Sequence, residues 1–315
     1  MKSFVSIQVN VGGPSFAPAF ESLRKRGLTS VQSLSLDWSR VETAPSVFNN
    51  PLPAIANAYY PAQNTKILLI LRPLNTVGYE VPSDLKGVAF DDLKLIARFE
   101  KQLDWILQQM PKTNFAGIAL GNEIGGVLGE NESAWRAYTR FFAHMAAYTH
   151  SKKPGVPVGV CVEASTWLGP QRRRLEAIHQ SADQLFLNYY PLKSDFTVKP
   201  LEDVRQELDA LTALAKRLKK PALFTEIGCP SAEACGSNEV YQTIFTRLVR
   251  ELLSAPGTPL TGALVEWYRD NPAADVAEQV RYYGVSSPAF RGFLASLGLS
   301  HADGREKPAL LALTA

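Results

Sequence analysis

The stretch FAGIALGNEI, residues 115–124, stays apolar as far as Leu120 and then turns abruptly polar at Asn122 and Glu123. A short apolar run of this kind reads as a strand buried on both faces, as in parallel sheets. A bare loop would account for one polar pair after one strand. It does not account for the repetition: LFTEIGCPS (223–231) delivers Glu226 and GALVEWY (262–268) delivers Glu266 in the same way.

Working outward, eight such runs occur, at 3–9, 30–36, 66–71, 115–120, 156–162, 184–189, 221–226 and 261–267. Between them lie segments of helical period at 16–27, 91–110, 132–150, 171–180, 201–220 and 238–255. The first closes on Gly27, a helix-stop residue; the second opens on Asp91-Asp92 and stops before Pro111. Residues 40–64, rich in Pro, Asn and Ala, read as an irregular loop with a weak helix. Strands alternating with helices predict a parallel sheet. Eight of them over 315 residues predict an α/β fold of the (β/α)8 TIM-barrel type, as one domain over 1–315. The competing open nucleotide-binding sheet calls for GxGxxG or GxxxxGK[ST] after the first strand, and NVGGPS (10–15) is neither.

Bulk properties exclude several classes. The chain is 46% hydrophobic with a net charge of +3, an ordinary globular balance that gives no argument for nucleic acid. Arg172-Arg173-Arg174 reads as a solvated helix face. No apolar run reaches the roughly 18 residues of a membrane span, so neither nucleic acid nor membrane is expected as a partner, and the chain is read as a monomer. MKSFVSIQVNVGG at the N-terminus reads as a first strand rather than a leader; the expected location is cytoplasmic, or secreted or periplasmic if this is a mature form. Three cysteines make no disulfide framework. Cys229 and Cys235 are near enough in sequence to pair in an oxidising compartment, against the plainer reading of two reduced thiols. No Cys/His spacing suggests zinc.

In a barrel of this type active sites form at the C-terminal ends of the strands. Asn122, Glu123, Tyr190, Glu226, Glu266 and Trp267 are therefore expected around one pocket. Two glutamates facing a sugar ring can break a glycosidic bond, one protonating the leaving oxygen and the other attacking the anomeric carbon, with no metal or cofactor. The four histidines, at 144, 150, 179 and 301, fall in helical segments or the tail rather than at strand ends, which weakens Ser-His-Asp and metallohydrolase readings.

LGNEI (120–124), NYYP (188–191), FTEIGCPS (224–231) and VEWY (265–268) together resemble clan A of the glycoside hydrolases, in which an Asn-Glu pair ends strand 4 and a second Glu ends strand 7. Within the clan the motifs are similar to those of family 17 β-1,3-glucanases, family 53 β-1,4-galactanases and family 113 β-mannanases. The resemblance implies a retaining β-glycoside hydrolase acting on an oligo- or polysaccharide. Glu123 would be the acid/base, Glu226 the nucleophile, Asn122 a partner of the sugar 2-hydroxyl, Tyr190 a donor to Glu226, and Trp267 the floor under the sugar. Many clan members carry an arginine at the end of strand 2; here Gln32 or Ser33 stands near that place, with Arg40 and Arg72 as substitutes. Many carry a His before the strand 6 Tyr; here Asn188 and Tyr189 precede Tyr190, and Asn188 joins the substrate-binding set.

Each residue has a plainer role beside this one. Glu123 is also suited to a helix N-terminus, and Glu226 to a strand-end ion pair. Glu163, Glu266 and Asp37 end strands too, where structural pairing or outer-subsite hydrogen bonding is the expectation. Trp38, Trp167 and Trp267 sit at strand ends or loops, where they would stack on sugar or pack the loop; Trp105 and Trp135 lie inside helices and read as packing. Tyr189 should alternate to the strand face opposite Tyr190. Two further classes stay open, a carbohydrate-binding barrel without turnover and a transglycosylase on the same scaffold.

Overall fold

A computed structural model describes residues 3–314. Each of the eight apolar runs becomes a strand: β1 (Phe4–Ile7), β2 (Val31–Asp37), β3 (Lys66–Asn75), β4 (Phe115–Asn122), β5 (Val158–Glu163), β6 (Leu185–Tyr189), β7 (Ala222–Ile227) and β8 (Leu260–Val265). The helices of seven or more residues are α1 (Phe16–Lys25), α2 (Leu52–Tyr59), α3 (Leu93–Gln109), α4 (Glu132–Lys152), α5 (Arg172–His179), α6 (Leu201–Leu218), α7 (Glu239–Ser254), α8 (Ala273–Tyr283), α9 (Pro288–Ser296) and α10 (Pro308–Thr314). Residues 40–64 hold α2 and a small antiparallel hairpin, Glu42–Ala44 with Val47–Phe48. β3 runs past its expected end at Leu71, through Pro73 to Asn75, and β8 stops at Val265, one residue before Glu266.

The chain divides into two compact units, Val31–Asn188 and Met1–Ser30 with Tyr189–Ala315. In the first, β2, β3, β4, β5 and β6 pair in that order, all parallel, with Asp37 opposite Arg72, Asn75 opposite Asn122, and Glu163 opposite Asn188. Ile67, Leu68, Leu69, Ile70 and Leu71 are all buried, so β3 has no solvent face; this is why its sequence is continuous rather than alternating. α3 buries Leu95, Ile96, Phe99, Leu103 and Ile106, one stripe at helical spacing, and its N-terminus is capped by Asp92, which accepts from the Lys94 amide at 2.8 Å. Asn131 caps α4 in the same way, accepting from Ser133 and Ala134. Phe90, Phe99, Tyr138 and Phe141 interlock with ring centroids between 5.1 and 5.7 Å apart.

In the second unit β1 and β7 flank β8, again parallel, with Ile7 and Ile227 both opposite Val265. After β8 the chain makes α8 and α9, whose Val276, Phe290 and Leu294 form an apolar cluster with Phe196, Tyr283 and Phe293 packed against it. The C-terminal segment is tied in by Lys307, 1% exposed, whose Nζ donates to Asp270 Oδ1 at 2.7 Å and Ser231 Oγ at 2.9 Å. A buried ammonium is tolerable only with partners of this kind.

Candidate active site

Each unit places one candidate glutamate at a strand end and a second at the end of the neighbouring strand. In the unit 31–188, β4 ends at Asn122, and Glu123 sits in the left-handed conformation (φ 48°, ψ 48°), which turns the chain from strand into the single-turn helix Ile124–Leu128. A non-glycine residue there is uncommon and is held by its surroundings. The Glu123 amide donates to the Cys161 carbonyl on β5 at 2.9 Å. Three asparagines from three strands then form a chain: Asn122 Nδ2 donates to Asn75 Oδ1 at 3.1 Å, and Asn188 Nδ2 lies 3.1 Å from Asn122 Oδ1 and 3.2 Å from Glu123 Oε1. All three are buried, so their amides have fixed orientations.

Glu163, at the end of β5, lies beside this turn. Its Oε1 accepts from the Gly126 amide at 3.1 Å and from Thr166 Oγ1 at 2.7 Å, while its Oε2 is buried without a hydrogen-bond partner. Burial first, and the Glu123 carboxylate second, push the Glu163 carboxyl up to about 7. Gly125 makes the approach feasible: a Cβ there would lie 2.1 Å from Thr166 Oγ1 and 2.5 Å from Glu163 Oε1.

In the other unit Glu226, on β7, is half-buried, and Tyr190 Oη donates to its Oε2 at 2.9 Å. The Tyr190 ring packs edge-on against Phe293 of α9 at 5.2 Å, which sets its direction. Glu266 is 7% exposed; burial first, and the Glu226 charge second, hold its carboxyl well above the usual carboxylate range. Trp267 follows it, half-buried. Tyr189 turns the other way, donating to Glu207 at 2.9 Å and stacking on Phe245.

Two aromatic expectations are corrected. Trp38 is 0% exposed: its indole N–H donates to Glu42 at 2.7 Å and its ring packs edge-on against Phe99, in a buried cluster where Glu42 also meets Arg98. Trp167 is likewise 0% exposed, in the turn Ala164–Leu168, edge-on to His179. Neither presents a face to a sugar. Both follow strand ends, and the turns there fold back on the core. Of the arginine substitutes, Arg72 is paired with Asp37 at 2.7 Å, and Arg40, largely exposed, reaches the same carboxylate at 3.3 Å. Cys161, Cys229 and Cys235 are buried free thiols, and burial pushes Cys235 up to about 11. Among the described residues no group of three or more His, Cys, Asp or Glu is placed to hold a metal ion, and no helix is long and apolar enough to cross a membrane.

Asn75 was not among the sequence candidates. The signal was weak: β3 reads as ended at Leu71, and LRPLN (71–75) carries a proline that obscures its continuation.

No family model matches the chain, and no curated protein matches it in sequence. Its structure is similar to that of a variant GH5_18 from Streptomyces cattleya in complex with Manβ1-4GlcNAc (TM-score 0.74, 15% identity, 100% of this chain and 79% of that one). It is similar also to a GH5_18 from Bifidobacterium longum subsp. infantis (TM-score 0.72, 15% identity, 99% and 77%). A third is the hyperthermostable endo-1,4-β-D-mannanase from Thermotoga petrophila RKU-1 (TM-score 0.68, 16% identity, 99% and 98%). At such identities the likeness shows the fold alone, a (β/α)8 barrel.

Proposed function

We propose that the chain is a retaining β-glycoside hydrolase, a single catalytic domain over 1–315, with Glu123 as acid/base and Glu226 as nucleophile. The observation that carries the proposal is the pair of half-buried glutamates at the C-terminal ends of β4 and β7, each with its own side-chain donor: Asn188 on Glu123, Tyr190 on Glu226. In a (β/α)8 barrel those strand ends share one face. Glu123 gives its proton to the glycosidic oxygen as Glu226 attacks the anomeric carbon. Glu123 then takes a proton from the water that releases the sugar from Glu226. The Tyr190 hydroxyl favours the ionised Glu226 that attack requires. Asn122, whose amide is oriented by Asn75 and Asn188, offers its second N–H to the 2-hydroxyl, and Trp267 supplies the floor.

β-Linked mannosides are the first substrates to try, since Manβ1-4GlcNAc and 1,4-β-mannan figure in the names of similar structures; β-glucan and galactan come next. The test is a hydrolysis screen over mannan, laminarin, galactan, xylan and cellulose oligosaccharides, with Glu123→Gln and Glu226→Gln as controls. Each variant should lose several orders of magnitude while staying folded; acid/base assistance alone is worth about 10²–10⁴-fold. Near-normal turnover by either variant removes that residue from its role. A fluorosugar should label Glu226, and an α-anomer as first product would overturn the retaining mechanism. A carbohydrate-binding barrel without turnover is favoured by one observation, the engagement of Arg72 by Asp37 where an arginine donor to the nucleophile was sought. Ligand binding by a chain that hydrolyses none of the panel would establish it; a transglycosylase would show instead as longer products at high acceptor concentration.

A further inference from the structure

We propose that Lys307 is a positioning residue for Trp267: its buried ammonium fixes residues 297–300 against the backbone of residues 267–270, and so sets the tilt of the indole on which the sugar rests. This rests on the hydrolase reading, in which Trp267 is the floor, and it adds a group remote from the reacting atoms.

The backbone around Trp267 is held from two directions. Two bonds anchor it to the sheet: Glu266 N–H donates to the Ile227 carbonyl of β7, and Tyr268 N–H to the Gln8 carbonyl after β1, each at 2.9 Å. The others come from the segment that follows α9. Leu299 N–H donates to the Trp267 carbonyl, Ser300 N–H to the Tyr268 carbonyl, and Asp270 N–H to the Ser300 carbonyl, all at 2.9 Å. The Ser300 hydroxyl adds a second bond to the Tyr268 carbonyl at 2.7 Å. The approach is close enough to require glycine: a Cβ on Gly298 would lie 2.1 Å from Asp270 N and 2.2 Å from the Arg269 carbonyl carbon.

Two buried side chains hold residues 297–300 in turn. Gln242 of α7, 1% exposed, directs its Nε2 at the carbonyls of Cys229, Leu297 and Gly298, at 2.8, 3.3 and 3.2 Å. Lys307 reaches further. Its amide donates to the Leu299 carbonyl at 2.9 Å, and its Nζ reaches Asp270 Oδ1, Ser231 Oγ and the Ser296 carbonyl at 2.7, 2.9 and 3.3 Å, one acceptor for each ammonium proton. These acceptors stand in the loop after β7, in the loop after β8 and at the end of α9. One cation thus joins the loop that follows Glu226 to the loop that follows Trp267. Without it Asp270, whose side chain is 15% exposed, loses its ion pair; His301, 3.9 Å away, is too far to hydrogen-bond in its place. Residues 267–270 would then have to move to hydrate that charge.

Lys307→Met tests this, since it keeps most of the side-chain volume and removes the charge. The tryptophans are replaced by 5-fluorotryptophan and the five ¹⁹F signals followed by NMR, with Trp267 assigned by its loss in Trp267→Phe. In Lys307→Met the Trp267 signal should shift or broaden while those of Trp38 and Trp167 stay, which also shows that the fold is intact; an unmoved Trp267 signal overturns the proposal. If Lys307→Met does not fold, Ser231→Ala, which removes one acceptor of the ammonium and leaves the others, is read in the same way. The activity readout is a cycle of variants on whichever oligosaccharide of the panel the chain hydrolyses. Lys307→Met should lower kcat/KM per folded molecule by about tenfold or more in the wild-type background, but by less than about threefold in Trp267→Ala, because the effect passes through the indole. Equal losses in both backgrounds would mean that Lys307 acts elsewhere, and would overturn the proposal. A wild-type chain that hydrolyses no glycan sinks the hydrolase reading, whereas the ¹⁹F result still decides whether Lys307 positions Trp267.

Discussion

The Glu163 carboxyl should make the stability of the whole protein pH-dependent in a window where most carboxylates are silent. Its ordinary value of 4.5 is raised to about 7 in the fold, by burial first and the Glu123 charge second. The folded state therefore holds a proton between those limits that the unfolded chain has released, so stability falls as pH rises across the window. The loss is complete above the folded value. At about 1.4 kcal/mol per pH unit, it amounts to about 3 kcal/mol. Glu163→Gln has no such proton. It can keep an acceptor for Gly126 and Thr166 and places an NH₂ where Oε2 has no partner. The assay is urea unfolding of both chains from pH 4 to pH 8.5. The difference in unfolding free energy should change by about 3 kcal/mol in favour of the variant between the ends of the range, with most of the change between pH 5 and 7. Parallel curves would refute the reasoning. They would mean that Glu163 ionises in the fold as it does in the open chain, and that its burial beside Glu123 carries no electrostatic cost.

Other substitutions test neighbouring parts of the argument. Gly125→Ala, whose Cβ would overlap Thr166 and Glu163, should cost about 1–3 kcal/mol; thermal unfolding unchanged from wild type would show that the turn relaxes freely. Trp38→Ala should lose about 3–5 kcal/mol of stability with kcat/KM per folded molecule unchanged, and a selective loss of substrate affinity would restore it as a sugar contact. Tyr190→Phe keeps the ring on Phe293 but removes the donor to Glu226; a hydrogen bond to a charged group is worth about 1.5–3 kcal/mol, so kcat/KM should drop by about ten- to a hundredfold, and full activity would dismiss that bond. Glu266→Gln mimics the neutral form that burial favours, so it should retain turnover within about tenfold, and a variant as dead as Glu226→Gln would assign Glu266 the catalytic charge.

Strand positions were legible because burial on both faces writes itself into composition. KILLIL and FAGIAL admit no polar face, and both become strands at the expected place. Asn122, Glu123, Tyr190 and Glu226 stood out as candidates for the converse reason, since a polar residue at the end of such a run needs an explanation. Hydrogen-bond partners were less so. The Tyr190–Glu226 bond was anticipated, but the donor of Glu123, Asn188, entered only as a sugar ligand, because a contact between strands that are not adjacent depends on register that no local pattern encodes. Trp38 and Trp167 show the limit most plainly. An aromatic after a strand end reads the same whether the following turn opens to solvent or closes on the core, and here both close, one on Phe99 and the other on His179.

The two glutamate pairs also differ in a way that bears on the division of labour in the proposed reaction. At β7 and β8 the resources are split: Glu226 receives the tyrosine hydroxyl, and Glu266 receives the burial. Burial and the Glu226 charge both hold the Glu266 carboxyl above the usual carboxylate range, so of the two Glu266 is favoured to hold a proton, as the proposed nucleophile role of Glu226 requires. At β4 and β5 donors are given to both members, Asn188 to Glu123, and Gly126 with Thr166 to Glu163. Donors are thus spread over both carboxyls at β4 and β5, in contrast to the split of donor and burial at β7 and β8.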